Sequence, residues 1–406
     1  MLQHAPHATK APPPPPAPPA FSLIRGGLLF RLCRRAHVSG DALELLHRRL
    51  LAMSLLAWFP LFLLSIIDGR AFGGAVTIPF VYDVETHARF LLALPLLIAA
   101  EVIVDERISP LIGRFVERRI VRTGDMPAFN AAVTSALRVR DSIALEASLL
   151  ILVYTLGLWV SRNAVAPDVA TWYTGPADAG SQFSWAGYWY AFVSIPLFQF
   201  VLLRWYLRLV LWFRLLWHIS RLDLHLTAEH PDGAGGIGFL GRSAYAFSPI
   251  LFAQGAVVAG MIATRILYEG KTLPAFTMEA VSWIVMMVLF VLGPLVMFTP
   301  QLERARRKGQ AEYGSLASEY VFAFEEKWLR RGSGRLGGLL LGSSDIQSLA
   351  DLANSHGVVG RMRLVPFGTA DIIVLVLAAG APLVPLALTM FSAEELLRRL
   401  LKLLLF

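Results

Sequence analysis

The segment from His225 to Arg242 brings together the residues best suited to hold a ligand. Pro231 is expected to end a helix, and the glycines after it allow turns whose backbone amides face a ligand without side-chain obstruction. Amides arranged in this way bind anions, and a neighbouring arginine adds charge. The residues predicted to hold an anion such as a lipid phosphate are His230, Gly235, Gly236 and Arg242.

The alternative for this segment is a tight turn packed against neighbouring helices, which is the commoner use of glycine in loops. Asp232 bears on the choice, because its carboxylate would repel an anion unless it caps backbone amides or pairs with Arg242. Both interpretations stay open at the level of sequence.

Three side chains just before the glycines have spacing that suits a metal ion. His218, His225 and Glu229 fall on one helix face if the helix continues that far, since seven and eleven residues are nearly whole numbers of turns. Imidazole and carboxylate groups are common ligands of zinc. The chain has one cysteine and no HExxH motif, so histidines at an interface without a metal are the simpler alternative.

A group of charged residues lies within or beside apolar stretches. Charges at such depth are costly, and they usually pair with one another or face an aqueous cavity. Pairing of a glutamate with Arg204 is the structural interpretation, and a polar vestibule for an ion or a substrate is the functional one. The predicted intramembrane cluster consists of Glu101, Asp105, Glu146, Arg204 and Arg208.

The composition indicates a membrane protein. Hydrophobic residues make up 56% of the 406 residues and charged residues 16%, and the mean hydropathy is +0.57. A soluble chain of this length would need more charge to cover its surface, so a lipid bilayer is the expected surrounding. The sequence predicts an all-α bundle of about seven spans. They lie near residues 50–67, 90–104, 143–160, 188–217, 249–267, 281–298 and 372–390.

The net charge of +8 has a distribution that predicts orientation. In a soluble protein this charge would suggest nucleic acid. Here the arginines flank alternate apolar stretches, which is typical of cytoplasmic loops. We therefore expect a cytoplasmic N-terminus and no nucleic acid partner, and we expect the lipid bilayer, including anionic lipid, as the partner.

The remaining segments are assigned by composition. Residues 1–20 form a proline-rich tail that is expected to be disordered, and residues 21–49 form a basic interfacial segment. Residues 301–369 form a helical cytosolic loop after the 50–300 transmembrane bundle. Residues 370–406 hold the last span, which its two prolines could make re-entrant, and an amphipathic C-terminal helix.

Two stretches resemble a family of polytopic inner-membrane proteins of bacteria. They are His230-Pro231-Asp232 with residues 235–240, and residues 343–352 with Val365-Pro366-Phe367. The resemblance covers the membrane body and the long loop but not the proline-rich tail. The resemblance implies a bacterial inner membrane. Because the family has no established activity, no catalytic residue can be transferred from it, and the cofactor stays unknown.

Three functions from different classes are consistent with this sequence. A transport or channel-like protein is expected first, because the charged residues converge near one mouth of the bundle. The alternative is an enzyme or a lipid-handling protein at the membrane surface that uses the His225–Arg242 loop. The third is a scaffold whose cytosolic helices bind another protein. An enzyme is the less expected class, because no catalytic motif is present.

Overall fold

The structure is a computed structural model that describes residues 21–26, 44–74, 76–163, 170–174, 183–330 and 344–390. The proline-rich tail, residues 27–43 of the basic segment and the amphipathic C-terminal helix lie outside the described residues. Helices dominate the described part, which forms no β-strand and contains only three isolated β-bridges. The all-α prediction is therefore confirmed for this part of the chain.

Ten helices build the described part, with the final one followed by a tighter turn. They are α1 (Glu44–Ile67), α2 (Val84–Glu117), α3 (Met126–Arg140), α4 (Ile143–Asn163), α5 (Trp185–Ile219), α6 (Phe239–Glu269), α7 (Thr277–Leu292), α8 (Thr299–Phe324), α9 (Ser344–Gly360) and α10 (Thr369–Gly380). A 3-10 segment, Gly293–Phe298, joins α7 to α8, and another, Ala381–Met390, continues α10.

Six helical segments of the described chain are long and apolar enough to cross a bilayer: Leu46–Ile67, Val84–Glu117, Trp185–Ile219, Phe239–Glu269, Leu273–Arg330 and Thr369–Met390. The predicted span at residues 143–160 is also a helix, α4, but its described apolar part, Ile143–Thr155, is shorter than these six. The structure therefore fits six spans by length and composition, and the seventh stays a prediction.

The outer surface of the bundle is apolar. Large hydrophobic side chains point away from the core along four helices, among them Ile67, Ile151, Leu289 and Leu377, each more than 60% exposed. A soluble protein rarely exposes such continuous apolar surface. This surface is compatible with an integral membrane protein surrounded by lipid.

Helix α2 lies at the centre and contacts α1, α5 and α6, while α10 packs between α6 and α7. The close crossing of α6 and α10 depends on Gly255, where an added Cβ would lie 2.3 Å from the backbone oxygen of Ala379. The bundle has two distinct ends. We call them the aromatic end, around Phe80 and Trp172, and the basic end, around Arg118 and Arg221.

Polar side chains at the aromatic end form hydrogen bonds with one another. The Asp83 carboxylate accepts hydrogen bonds from the Thr86 hydroxyl at 2.6 Å and from the indole of the fully buried Trp172 at 2.8 Å. Helices α2 and α5 meet here through π-helical turns, Ala88–Ala93 and Tyr190–Ser194. Arg89 donates to the hydroxyl of Tyr190 at 2.7 Å across this contact.

The last candidate span, Thr369–Met390, changes from α to 3-10 geometry where its two prolines lie. Leu386 in the 3-10 segment packs with Ile262 and Phe276. Whether this segment spans the membrane or is re-entrant stays a prediction.

Helices α8 and α9 pack on each other beyond the basic end. Val359 of α9 is fully buried and faces Gly309 of α8, where an added Cβ would also meet Ala228. This contact fixes the segment after α5 beneath the two helices. That the pair forms a cytosolic layer stays a prediction.

Candidate functional site

The deepest polar feature is an ion network centred on Glu101 of α2. Its carboxylate is 2.8 Å from Nη2 of Arg49, 2.9 Å from Nη1 of Arg208 and 3.4 Å from Nη1 of Arg204. Arg204 also places Nε 3.4 Å from Oε1 of Glu146 on α4. Four helices therefore meet at one carboxylate and its neighbours. We call these five residues the ion network.

Burial explains why the charges of the ion network pair. Glu101, Glu146, Arg204 and Arg208 are each less than 8% exposed. An unpaired charge at this depth would be strongly unfavourable, whereas pairs and hydrogen bonds make it tolerable. Nη2 of Arg208 is buried and has no hydrogen-bond partner within the described residues. The network joins helices, and the structure brings together four of the five residues of the predicted cluster.

Asp105, the fifth residue of that cluster, has a different set of partners. Its carboxylate accepts hydrogen bonds from the hydroxyls of Ser22 at 2.6 Å and Ser109 at 2.8 Å, and from Nε of Arg25 at 2.7 Å. Sequence reasoning missed Ser22, Arg25 and Arg49 as partners. Contacts across 52 to 83 residues of chain leave no local pattern to detect.

Residues 232–238, which we call the glycine loop, donate backbone hydrogen bonds to the side chain of Asp232 within the same loop. The Asp232 carboxylate accepts hydrogen bonds from the backbone amides of Ala234, Gly236 and Gly238 at 2.8–3.1 Å. Burial acts to raise the pKa of Asp232, but these three bonds to the charged form lower it overall. The carboxylate thus occupies the position that an external anion would need.

Of the four residues predicted to hold an anion, Gly235 and Gly236 are buried. An added Cβ at Gly235 would lie 3.1–3.3 Å from Met362, Leu226 and Leu302, the last of these on α8. Arg242 is exposed, and His230 places Nδ1 2.9 Å from Asp232. Anion binding by His230, Gly235, Gly236 and Arg242 stays a prediction, but these contacts favour the tight turn.

The metal candidates are not assembled into a site. Their alignment required a helix as far as Glu229, but α5 ends at Ile219. His218 contacts the backbone oxygen of Arg214, and the Glu229 carboxylate accepts a hydrogen bond from the hydroxyl of Tyr313 at 2.8 Å. Nowhere in the described chain do three or more His, Cys, Asp or Glu side chains come together as metal ligands.

An open cleft of about 790 Å³ lies beside these residues, between the segment from Ser220 to Glu229 and the start of α8. We call it the interfacial cleft. Its apolar side includes Trp217, Val296 and Met297. Its polar side carries four cationic residues, Arg122, Arg221, Arg304 and Lys308, and three acidic ones, Asp223, Glu229 and Glu312.

The charges of the interfacial cleft pair unevenly. Arg122 lies 2.5 Å from Asp223, and Lys308 lies 3.7 Å from Glu312. Arg221 stacks over the indole of Trp217, with 4.1 Å between its guanidinium carbon and the ring centre. Within the described part of the chain, neither Arg221 nor Arg304 forms an ion pair with a carboxylate. Nε of Arg304 donates to the backbone oxygen of Pro300 at 3.1 Å, so the terminal nitrogens of Arg304 and the exposed guanidinium of Arg221 are the groups available to a ligand.

The walls of the interfacial cleft are held by hydrogen bonds to backbone carbonyls. Nε2 of the Gln301 side chain donates to the carbonyl oxygens of Ser220 and Leu222, each at 2.7 Å. The amide of His225 donates to the carbonyl of Ile120 at 2.7 Å. The cleft is thus shaped by fixed backbone. Its basic wall could have been found in the sequence, since the arginines of α8 directly follow an apolar span.

Comparison of the chain with protein-family models, with curated proteins and with solved structures gave no match. The resemblance to a bacterial inner-membrane family therefore stays a prediction. Any function rests on the geometry of the described residues.

Proposed function

We propose that this is a bacterial inner-membrane protein whose basic end faces the cytoplasm and binds the phosphate-bearing headgroup of an anionic amphiphile. The observation that carries the proposal is the pair Arg221 and Arg304, which lack carboxylate partners within the described residues and line a 790 Å³ cleft with an apolar side. This is the lipid-handling alternative from the sequence, with the binding site placed in the interfacial cleft and not in the glycine loop beside it. The binding groups are arginines of the interfacial cleft in place of the glycine amides.

The chemistry of the interfacial cleft supports an amphiphile over a small polar solute. Guanidinium groups bind phosphate oxygens with two parallel hydrogen bonds. Val296 is 47% exposed and Trp217 is 44% exposed, so an acyl chain has apolar surface to cover. Anionic headgroups are concentrated at the cytoplasmic surface of a membrane. The orientation rests on the arginine distribution, which is typical of cytoplasmic loops.

A titration of the purified full-length protein in detergent tests the proposal. The probe is a short-chain phosphatidylglycerol, and binding is followed by native mass spectrometry. Each guanidinium near a headgroup contributes about 1 kcal/mol, or about fivefold in affinity. We expect Arg221→Gln combined with Arg304→Gln to weaken binding about 25-fold. Arg307→Gln is the matched control, because Arg307 is on α8, is 76% exposed and pairs with Glu303.

Two further ligands separate the sources of the phosphate. Phosphatidylcholine should bind more weakly than phosphatidylglycerol, and inorganic phosphate should compete poorly because it lacks an apolar part. Strong competition by inorganic phosphate would indicate that the cleft binds free phosphate and not a lipid headgroup. Equal binding by the double variant and the Arg307 control would remove the proposal.

Transport is the second candidate, and the ion network favours it because three of its arginines gather around one carboxylate inside the bundle. The two functions separate by substitution. Loss of a transport activity in Glu101→Gln at unchanged phosphatidylglycerol affinity would support transport. The scaffold and enzyme alternatives stay predictions.

A further inference from the structure

The interfacial cleft has two walls, formed by the chain that follows α5 and by the first half of α8. Two hydrogen bonds fix these walls against each other. The Gln301 side chain donates to the carbonyl oxygen of Leu222 at 2.7 Å, and the Tyr313 hydroxyl donates to Oε1 of Glu229 at 2.8 Å. The earlier residue of one wall contacts the earlier residue of the other, and the same holds for the later residues. The two walls therefore run in the same direction.

Both walls present the same kinds of group in the same order. Each begins with an apolar side chain, Trp217 on the first wall and Val296 on the second. Each continues with an arginine that meets no carboxylate within the described residues, Arg221 and Arg304 respectively. Both then reach the hydrogen bond at Glu229. The cleft is thus apolar at one end, cationic in the middle and acidic at the other end.

A phospholipid has the matching order of groups, because its acyl chains are followed by the phosphate and then by the headgroup alcohol. The lengths also agree. Arg304 and Tyr313 are nine residues apart on α8, or about 13 Å along its axis. An arginine side chain, a phosphate and a short alcohol together are needed to cover this distance. The acidic end of the cleft therefore lies where the headgroup alcohol would be.

Glu229 is in a state that can accept a hydrogen bond from a ligand. Its side chain is exposed, and only Oε1 is engaged, by the hydroxyl of Tyr313. Among the described residues, Oε2 forms no hydrogen bond and the carboxylate forms no ion pair. The other two acidic residues of the cleft, Asp223 and Glu312, each pair with a cationic residue. An ionised carboxylate accepts hydrogen bonds at both oxygens, so Glu229 needs a donor.

The charges of the cleft indicate which donor this is. Four cationic residues and three acidic ones leave a balance of one positive charge. A phosphodiester carries one negative charge and cancels that balance. A hydroxyl can donate to Glu229 without adding charge, whereas an ammonium group would restore the positive excess. A hydroxyl is therefore the donor that leaves the occupied cleft neutral.

We propose that the interfacial cleft selects a phosphodiester headgroup that bears a hydroxyl, with the phosphate at Arg221 and Arg304 and the hydroxyl donating to Glu229. The ligand is then a lipid of the phosphatidylglycerol type, whose headgroup is a short polyol. This inference rests on the proposed function, because it adds headgroup selectivity to the same cleft. It assigns Glu229 a role that neither the arginines nor the apolar side chains can supply.

The test compares two lipids that differ in their headgroup hydroxyls. Short-chain phosphatidylglycerol and short-chain phosphatidylpropanol carry the same charge, but the second has no hydroxyl. Their binding to the full-length protein in detergent is measured by native mass spectrometry. We expect the native protein to prefer phosphatidylglycerol about tenfold, the contribution of one hydrogen bond to a charged group. Glu229→Ala should bring this preference close to one.

Two other variants serve as references. Glu319→Ala is the matched control, because Glu319 is an exposed glutamate of α8 outside the cleft, and it should keep the native preference. Arg221→Gln combined with Arg304→Gln should weaken the binding of both lipids by a similar factor and leave their ratio unchanged. If Glu229→Ala does not fold, Glu229→Gln keeps the shape of the side chain and should lower the preference to about threefold.

Headgroup selection and the proposed function can fail separately. Equal affinity of the native protein for the two lipids would overturn headgroup selection, and the proposed function would stand if the double arginine variant still weakened both. A native preference that persists in Glu229→Ala would also overturn it. Tighter binding of short-chain phosphatidylethanolamine than of phosphatidylglycerol would make an ammonium the partner of Glu229. Unchanged binding of both lipids by the double arginine variant would remove the proposed function, and headgroup selection with it.

Discussion

The ion network and the interfacial cleft both consist largely of arginines, yet they use them in opposite ways. Arg204 and Arg208 are less than 8% exposed, and each contacts Glu101. Arg221 and Arg304 are exposed and meet no carboxylate within the described residues. The number of arginines therefore does not reveal their role. Burial and pairing separate those that hold the bundle together from those that remain available to a ligand.

The largest expected effect comes from removing the central carboxylate of the ion network. Glu101→Gln would leave Arg49, Arg204 and Arg208 with less negative charge at the same depth. Removing one partner of a buried ion pair costs about 3–5 kcal/mol. We expect that loss in the free energy of unfolding, measured by denaturant titration in detergent. Transport assays of this variant therefore need a parallel measurement of folding.

Glu106→Gln is the control, because Glu106 is exposed on the same helix. It should change the unfolding free energy by less than about 0.5 kcal/mol. Equal stability of the two variants would contradict the structural role of the ion network and would end the comparison with the interfacial cleft.

An intermediate effect on stability is expected when an arginine is replaced by lysine, once in the ion network and once in the interfacial cleft. Arg208→Lys keeps the charge but loses the planar group that bonds Glu101 and lies over Trp205. It should destabilise the fold by about 1.5–3 kcal/mol. Arg221→Lys in the interfacial cleft should change stability by less than about 0.5 kcal/mol. If thermal unfolding shows similar losses for both, the two regions do not differ as described.

The smallest effect concerns the glycine loop beside the interfacial cleft. Asp232→Asn should cost about 1 kcal/mol, because an amide nitrogen replaces one of the two oxygens that accept backbone hydrogen bonds. The control is Asp351→Asn on the exposed face of α9.

This effect has a defined dependence on pH. The folded pKa of Asp232 is lowered from the ordinary value of 3.8. The stabilisation is therefore complete above pH 3.8 and is lost as the pH falls through the folded pKa. The difference in stability between native protein and Asp232→Asn should shrink below pH 3.8. A difference that persists unchanged there would show that the charge of Asp232 does not hold the loop.

Much of the bundle could be predicted from sequence, because the apolar stretches near residues 50–67 and 188–217 must be helical in lipid. Pairing of Arg204 with Glu101 or Glu146 was one of the two interpretations that the cost of isolated charges allowed, and Arg204 contacts both carboxylates. Both inferences depend on local composition and on depth along a helix, which the sequence records directly.

The rest depends on contacts between distant segments. The end of α5 at Ile219 could not be placed from the pattern, because the polar segment after it keeps helical spacing. The hydrogen bonds of Asp232 depend on glycine conformations at Gly233, Gly235 and Gly236, all with positive φ. The position of residues 21–26 depends on Trp212 and Asp105, which lie far along the chain.

The wide turn Ala88–Ala93 in α2 has a rotational consequence. In an uninterrupted α-helix, the twelve residues from Arg89 to Glu101 would set their side chains about 120° apart. A π-turn absorbs about one extra residue, which leaves about three whole turns between them. Both side chains then face α5, Arg89 toward Tyr190 and Glu101 toward Arg208. By changing the rotation along α2, the π-turn directs both Arg89 and Glu101 toward the same neighbouring helix, α5, at two different depths in the bundle.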